Sequence, residues 1–514
     1  MAMPKTRRLR GSPSSAAIRS TAIQSAAILA AVIAAVIAAP GAAQTFELPA
    51  ATWIDHPAAV VVALDGAVVE VVREPTSKPA LRARVRSESA DGEKPTLQVV
   101  RGESLVEIRR GDSGGVAIVV ELILDSQQPL RIAGSGLEIT VAGTGAIPPP
   151  GGESGETGES GEPVPVAATQ AAAVAMSKLD LQVEGSTVQL TGVSGATVVA
   201  VDSSLFVAAT ESLLSLRLDG GDAEIRGHQG RIEYRGVRAD AWLADLDGSV
   251  DFAIEGGSFR MSDSRGNATG NADGGLVSLD GWFGPLKLAG SDATVELRAA
   301  EGSRSNVDLR GSGLDATVAG LAGMLTAEVH GGRLQINEKL GNTRIQASEG
   351  AEVRIDRAGG NTVLSLQQSS ATLTDVRAPQ VRVDLRDGRL DGDRIHQLEL
   401  VAERAEVRVS GLEELARAEV VDTRLELDLR GLARTPTLTL RGASEALLRL
   451  ATPCAVELSN AQLVSDRIDV TGCDFFGKGT RRGRSRVRGV EGNSVLTLTA
   501  TVDEDSHLEV EGYP

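Results

Sequence analysis

Apolar and polar residues alternate along most of this chain in short runs, and each run ends at Gly, Asp or Asn. Arg231-Ile-Glu-Tyr-Arg235, Thr294-Val-Glu-Leu-Arg298, Arg333-Leu-Gln-Ile-Asn337, Val381-Arg-Val-Asp-Leu385 and Arg424-Leu-Glu-Leu-Asp428 are examples. A period of two sends successive side chains to opposite faces of a strand. Leu425 and Leu427 are therefore expected to point inward, with Glu426 and Asp428 outward. Turn residues return about every 9–11 positions, so two strands and two turns predict a coil of roughly 20 residues. One such coil cannot bury its own apolar face. Stacking the coils about 4.8 Å apart can, and roughly 20 of them would make a rod on the order of 100 Å long. The expected fold is all-β: a β-solenoid, parallel β-helix-like and right-handed. Helical spacing is almost absent, and Gly411 to Ala418 (GLEELARA) is the one stretch expected to form a short helical turn.

Internal repeats support a solenoid. Residues 133–143 (AGSGLEITVAG) and 310–320 (RGSGLDATVAG) share eight of eleven positions. Val-Asp-Leu-Arg stands at 307–310 and 383–386, and Leu-Asp-Leu-Arg at 427–430. The beat is broken in two places. Val60 to Leu64 and Ala67 to Val72 flank Asp65-Gly66, a pair that favours hairpins, so an antiparallel start is expected. Gly143 to Ala175 is rich in Pro, Gly, Glu and Ser and cannot bury enough surface to order itself. It reads as a disordered loop inserted in one solenoid, or as a linker between two domains, 44–142 and 176–514.

The chain opens with a pattern of its own. Lys5, Arg7, Arg8, Arg10 and Arg19 precede an unbroken apolar run, Ala26 to Ala39, which Pro40 ends. Small residues then lead to a cleavage site expected between Ala43 and Gln44, giving a signal peptide over 1–43. The run is short of the roughly 20 residues a spanning helix needs. Arg7-Arg8 hints at twin-arginine export. No cysteine follows the run to take a lipid anchor, and no later stretch is long enough to span a bilayer. The expected location is extracytoplasmic: periplasmic, cell-surface or secreted.

Composition narrows the interior and the partners. Only 2% of residues are aromatic while 42% are hydrophobic. A core of Val, Leu, Ile and Ala closed by 58 glycines suits a narrow column. The formal net charge is −17, and the five cations of the leader leave −22 on the remainder. That acidity disfavours a nucleic-acid partner. Cys454 and Cys473 are the two cysteines, 19 residues apart, close to one coil. In an oxidising compartment they are expected to form a disulfide across stacked positions.

The segments LRIAGSGLEITVAG (130–143), LRLDGGDAEIRGHQGRIEYRG (216–236), VDLRGSGLDATVAG (307–320) and the ending HLEVEGYP (507–514) resemble the bacterial adhesin-like proteins that carry a head GIN domain. The resemblance covers most of 45–142 and 176–514. It implies an exported β-solenoid with Gly-Ser-Gly turns, and it supplies no catalytic residue. This chain departs from that pattern in its length, its insertion, and a Gly-Ser-Gly present in only some coils.

Several stretches carry the outline of a chemical site. Gly111-Asp-Ser-Gly-Gly115 matches the nucleophile segment of chymotrypsin-like proteases. Val116 follows it, and His56 is the one histidine upstream, too close for that fold, so a turn around Ser113 is expected. Gly472 to Thr480 (GCDFFGKGT) nearly matches a phosphate loop, but Gly479 stands where a hydroxyl should follow Lys478. Asp263, Asn267, Asn271 and Asp273 offer oxygens to calcium, though a Gly-rich corner explains them as well. His56, His228, His330, His396 and His507 are scattered without metal-ligand spacing. Lys478 to Arg488 carries six cations and could meet an anionic glycan or lipid. No catalytic residue, cofactor or metal is assigned. The reading is a non-enzymatic surface-interaction or scaffold protein, with a cell-surface glycan or another envelope protein as partner. The alternative is a polysaccharide-acting enzyme on a parallel β-helix. That would want exposed aromatics, and Trp53, Trp242 and Trp282 are the tryptophans available.

Overall fold

The computed structural model describes residues 44–47, 59–74, 80–85, 97–101, 105–110, 118–125, 128–143, 179–430, 436–451, 454–458, 468–477 and 496–513. The expected signal peptide over 1–43, His56, Trp53, Ser113, most of Gly143–Ala175 and Lys478–Arg488 lie outside them.

Forty-two strands form one continuous hydrogen-bonded system, and among the described residues there is no helix. Over most of the chain strands pair in parallel, not with the next strand in sequence but with the one after it. Gln229–Val237 pairs with Asp247–Glu255, and Asp240–Ala244 with Ser258–Ser262. The chain is therefore a β-solenoid with two strands per coil. The step between stacked residues is 18 from Gln229 to Asp247, 17 from Val381 to Leu398 and 21 from Leu286 to Val307. The usual coil is thus slightly shorter than the sequence spacing suggests.

Alternation does what the pattern requires. Leu425 and Leu427 are buried, while Glu426 and Asp428 are part-exposed on the outer face. Closure of the coil depends on corners, where the backbone must turn without losing its ladder. Asp202, Gly220, Arg238 and Gly256 stack at one corner, all in the left-handed region, with φ of 46°, 73°, 51° and 69°. There the Arg238 amide still donates to Glu255 O at 2.9 Å, and Gly256 to Asp273 O at 2.9 Å. Aspartate tolerates this conformation better than most side chains, which accounts for its recurrence at Asp202, Asp245, Asp263, Asp292, Asp387 and Asp422.

The interior is a stack of small and branched residues with one aromatic knot. Leu216, Tyr234, Phe252, Gly270, Leu288 and Leu309 follow one another in a single column. Phe252 stacks on Phe259 at 4.1 Å, and Tyr234 lies 5.6 Å from Phe259. Gly270 is what admits the ring, because a Cβ there would overlap Phe252. Gly270→Ala is therefore expected to destabilise the fold by about 1–3 kcal/mol through overpacking. Phe252→Leu added to it should recover part of that loss in urea unfolding.

Both ends depart from sequential stacking. Ala59–Ala63 lies between Leu105–Arg110 and Leu130–Ser135, and Ala67–Glu74 between Ile118–Asp125 and Glu138–Gly143. The strands around Asp65-Gly66 thus do not form the expected hairpin. Gly66 sits in the left-handed region, at φ 58°, as a coil corner does, and the strands on either side pair with other coils. An antiparallel start exists on different strands. Gln44–Glu47 pairs with Ala80–Val85, Ala80–Val85 with Ile118–Asp125, and Leu97–Arg101 with Leu105–Arg110. These close the first edge of the parallel array. Leu130–Ser135 stacks directly on Leu179–Glu184, and Glu138–Gly143 on Thr187–Thr191, so the ladder is continuous across 144–178.

At the other end the last coil in sequence is not the last in space. Leu496–Val502 lies between Thr437–Arg441 and Cys454–Leu458, and His507–Tyr513 between Glu445–Ala451 and Ile468–Thr471. Cys454, on the strand next outward, is joined by a disulfide to Cys473, which immediately precedes the strand beyond it, Asp474–Gly477, with Cα atoms 4.9 Å apart. That is the spacing of adjacent parallel strands. Gly411–Ala418 is extended, not helical: Glu406–Leu412 and Glu414–Val421 are strands, and Leu412 and Leu415 are buried.

Candidate functional site

The outer faces are built from charge pairs between successive coils. Arg333 meets Glu352 at 3.1 Å, Arg357 meets Glu338 at 2.7 Å, and Arg231 meets Asp251 at 2.8 Å. Arg449 bridges Glu426 at 3.1 Å and Glu511 at 3.2 Å. All are solvent-exposed, so each contributes little stability. Their effect is to compensate the charge of the face locally.

A groove of about 620 Å³ crosses one corner over several coils, lined by Gln368, Ser370, Asp387, Arg389, Arg404 and Glu406. Its floor is Ser369, Gly388 and Ala405, small because this corner position faces the carbonyls of the coil beneath. A Cβ on Gly388 would overlap Ser369 O. Arg404 donates to both Asp387 oxygens, at 2.7 and 3.0 Å, and also meets Glu403. Hydrogen bonding from Arg404 holds the Asp387 carboxyl below its usual range, and the same pairing raises Arg404. Arg389 donates to Asp391 at 2.6 and 3.0 Å, with Glu406 at 3.8 Å. Two cations and two anions therefore line the groove, and no histidine, cysteine or aromatic residue does. Such a surface suits an uncharged, hydroxyl-rich ligand. Sequence reading misses it, since Asp387-Gly388-Arg389 looks like any other turn.

The residues singled out from sequence are not brought together. His228 is buried, its Nδ1 2.8 Å from Thr210 Oγ1, and burial lowers its pKa. His330 Nδ1 meets Ser348 Oγ at 2.6 Å, and His396 Nδ1 meets Glu413 at 2.6 Å. His507 begins the last strand. Asp263 is a left-handed corner, and Asn271 and Asp273 point outward, Asp273 accepting from Ser291 at 2.6 Å. Among the described residues no three His, Cys, Asp or Glu side chains gather as a metal would require. Trp282 is buried. Trp242 is exposed on the outer face with Arg226 4.5 Å from its ring centre.

Lys339 is the unforeseen feature. It is fully buried, and Nζ donates to Gly323 O. Its position along the stack is held by Leu321 in one neighbouring coil, and by Ala358, Val376, Ile395 and Leu412 in the coils beyond. Burial lowers the ammonium pKa to about 8. No family model matches this chain, and no curated protein matches it significantly.

Proposed function

We propose that this chain is an exported, non-catalytic β-solenoid, similar to the GIN-domain adhesin-like proteins, that serves as a surface-interaction or scaffold element of the bacterial envelope. The observation that carries this reading is the repetition of the outer surface. Coil after coil offers the same corner, the same outward alternation and the same locally paired charges, with a shallow polar groove in place of a deep cleft. Stacked coils suit many weak contacts along a rigid length, or spacing one surface from another. The disulfide is consistent with an oxidising compartment. The test is a glycan-array and cell-wall pull-down with the exported chain. Capture of envelope glycan or protein is expected. Alanine at Ser113, Lys478 or His330 should leave it within about twofold, while loss of several coils abolishes it. Turnover of a polysaccharide, destroyed by one substitution in a chain that stays folded, would replace this reading with an enzyme.

A further inference from the structure

The corner that joins Glu211–Arg226 to Gln229–Val237 holds a buried imidazole. Backbone bonds set the column it belongs to. Glu211 N donates to Val193 O, Gln229 to Thr210, Asp247 to His228, Arg265 to Leu246 and Phe283 to Ser264. Val193, Thr210, His228, Leu246 and Ser264 therefore stack in successive coils, and all five are buried. Of these only His228 titrates near neutral pH. It is 1% exposed. Its Nδ1 lies 2.8 Å from Thr210 Oγ1, and among the described residues its Nε2 has no hydrogen-bond partner. Neutral imidazole suits this place, because one nitrogen meets the hydroxyl and the other carries no proton that must be placed. Imidazolium does not, because both nitrogens then donate and a full charge is buried. The charged residues on the strands and corners around it, Glu211, Arg226, Arg231, Asp245 and Asp247, are all exposed. Arg226 and Arg231 are engaged by Glu224 and Asp251. Burial lowers the affinity of His228 for a proton, and the backbone of Arg231 and of Ser212 opposes this only in part.

We propose that His228 is an acid-sensitive latch in the stack: when it takes up a proton, the coil around it, 211–247, opens while distant coils stay closed. The sign follows from proton counts. Below the ordinary histidine value of 6.5 the opened chain holds this proton and the closed chain does not. The closed state therefore weakens as pH falls, with the opening equilibrium rising about tenfold per pH unit until the closed form itself takes up the proton. At pH 7 and above the latch is closed. Opening is local because each coil is held by its immediate neighbours alone. His330 and His396 are placed differently. Both reach the surface beside a carboxylate, Glu328 at 3.6 Å and Glu413 at 2.6 Å, so a proton there has a partner. This inference is independent of the proposed function.

The test is hydrogen exchange of the full chain at pH 7 and pH 5, corrected for the intrinsic pH dependence of exchange. On acidification, protection over 211–247 is expected to fall about tenfold more than protection over 362–421. His228→Gln keeps a partner for Thr210 and takes up no proton, so the difference should vanish. Thr210→Val combined with His228→Leu copies the neighbouring Val193 and Leu246 and should also remove it, which keeps the test open if the glutamine chain does not fold. His330→Gln should leave the difference in place. Equal protection of 211–247 at both pH values would overturn the proposal. So would an equal fall over 362–421, or a difference that persists in either His228 variant.

Discussion

Replacing Lys339 with methionine is expected to stabilise the protein by about 3 kcal/mol at pH 7, against the usual outcome of a core substitution. The amine is fully buried in an otherwise apolar stack, and burial lowers its pKa from 10.5 to about 8. A shift of that size corresponds to roughly 3 kcal/mol. The sign follows from proton counts. Between pH 8 and 10.5 the unfolded chain holds this proton and the folded chain does not. Stability therefore rises with pH across that interval, and below it the penalty is present in full. Methionine fits the length of the site and has no charge to desolvate. Urea unfolding of both chains at pH 7 and pH 10 checks the claim. The variant should gain at pH 7, and its advantage should shrink at pH 10. A loss of stability at pH 7 would mean that the bond to Gly323 outweighs the buried charge.

Ending the chain after residue 495 is expected to do far more damage than its length suggests. The lost segment holds Leu496–Val502 and His507–Tyr513, which are sandwiched between other coils. Their removal leaves Thr437–Arg441 and Glu445–Ala451 with one open side and detaches the disulfide-bearing coil from the stack. Ser506 also leaves the interior corner and uncovers Ser444; there the Ser506 hydroxyl donates to Gly442 O at 2.8 Å and the His507 amide to Ser444 O at 2.8 Å. Open strand edges invite pairing with other chains, so aggregation is expected together with lost hydrogen-exchange protection over 437–451. Excising 454–487 instead removes the strands Cys454–Leu458, Ile468–Thr471 and Asp474–Gly477, which lie outside the last coil, and should leave protection over 437–451 within about threefold. Equal damage from both changes would mean that the last coil is not an internal member of the stack.

Much of the fold was legible because a solenoid repeats its local rules. Alternation at 424–428 placed Leu425 and Leu427 correctly, and the cysteine spacing placed both sulfurs on adjacent strands. The failures have local causes. Asp65-Gly66 carries the backbone freedom that a hairpin needs, yet a solenoid corner needs the same freedom, and only the distant partners of the flanking strands decide between them. Gly411–Ala418 has helix-forming residues, but burying Leu412 and Leu415 in the stack overrides that preference. Lys339 was invisible because Glu338, left-handed at φ 54°, shifts the inward–outward phase, so a residue that alternation would place outside turns inside. The groove has no signature within any one coil. It appears only when residues about 18 apart are set side by side.

Interchangeable coils are the core of this account, and excising one tests it directly. Thr362 stacks on Val381, so deleting 362–380 joins Asn361 to Val381 with every later row still in register. The shortened chain is predicted to unfold cooperatively and to retain the wild-type circular dichroism per residue. Deleting 362–369 alone removes one strand and one corner, puts the following strands on the wrong faces, and should abolish the fold. If the whole-coil deletion unfolds the protein as completely as the half-coil deletion does, the coils are not the repeating units described here.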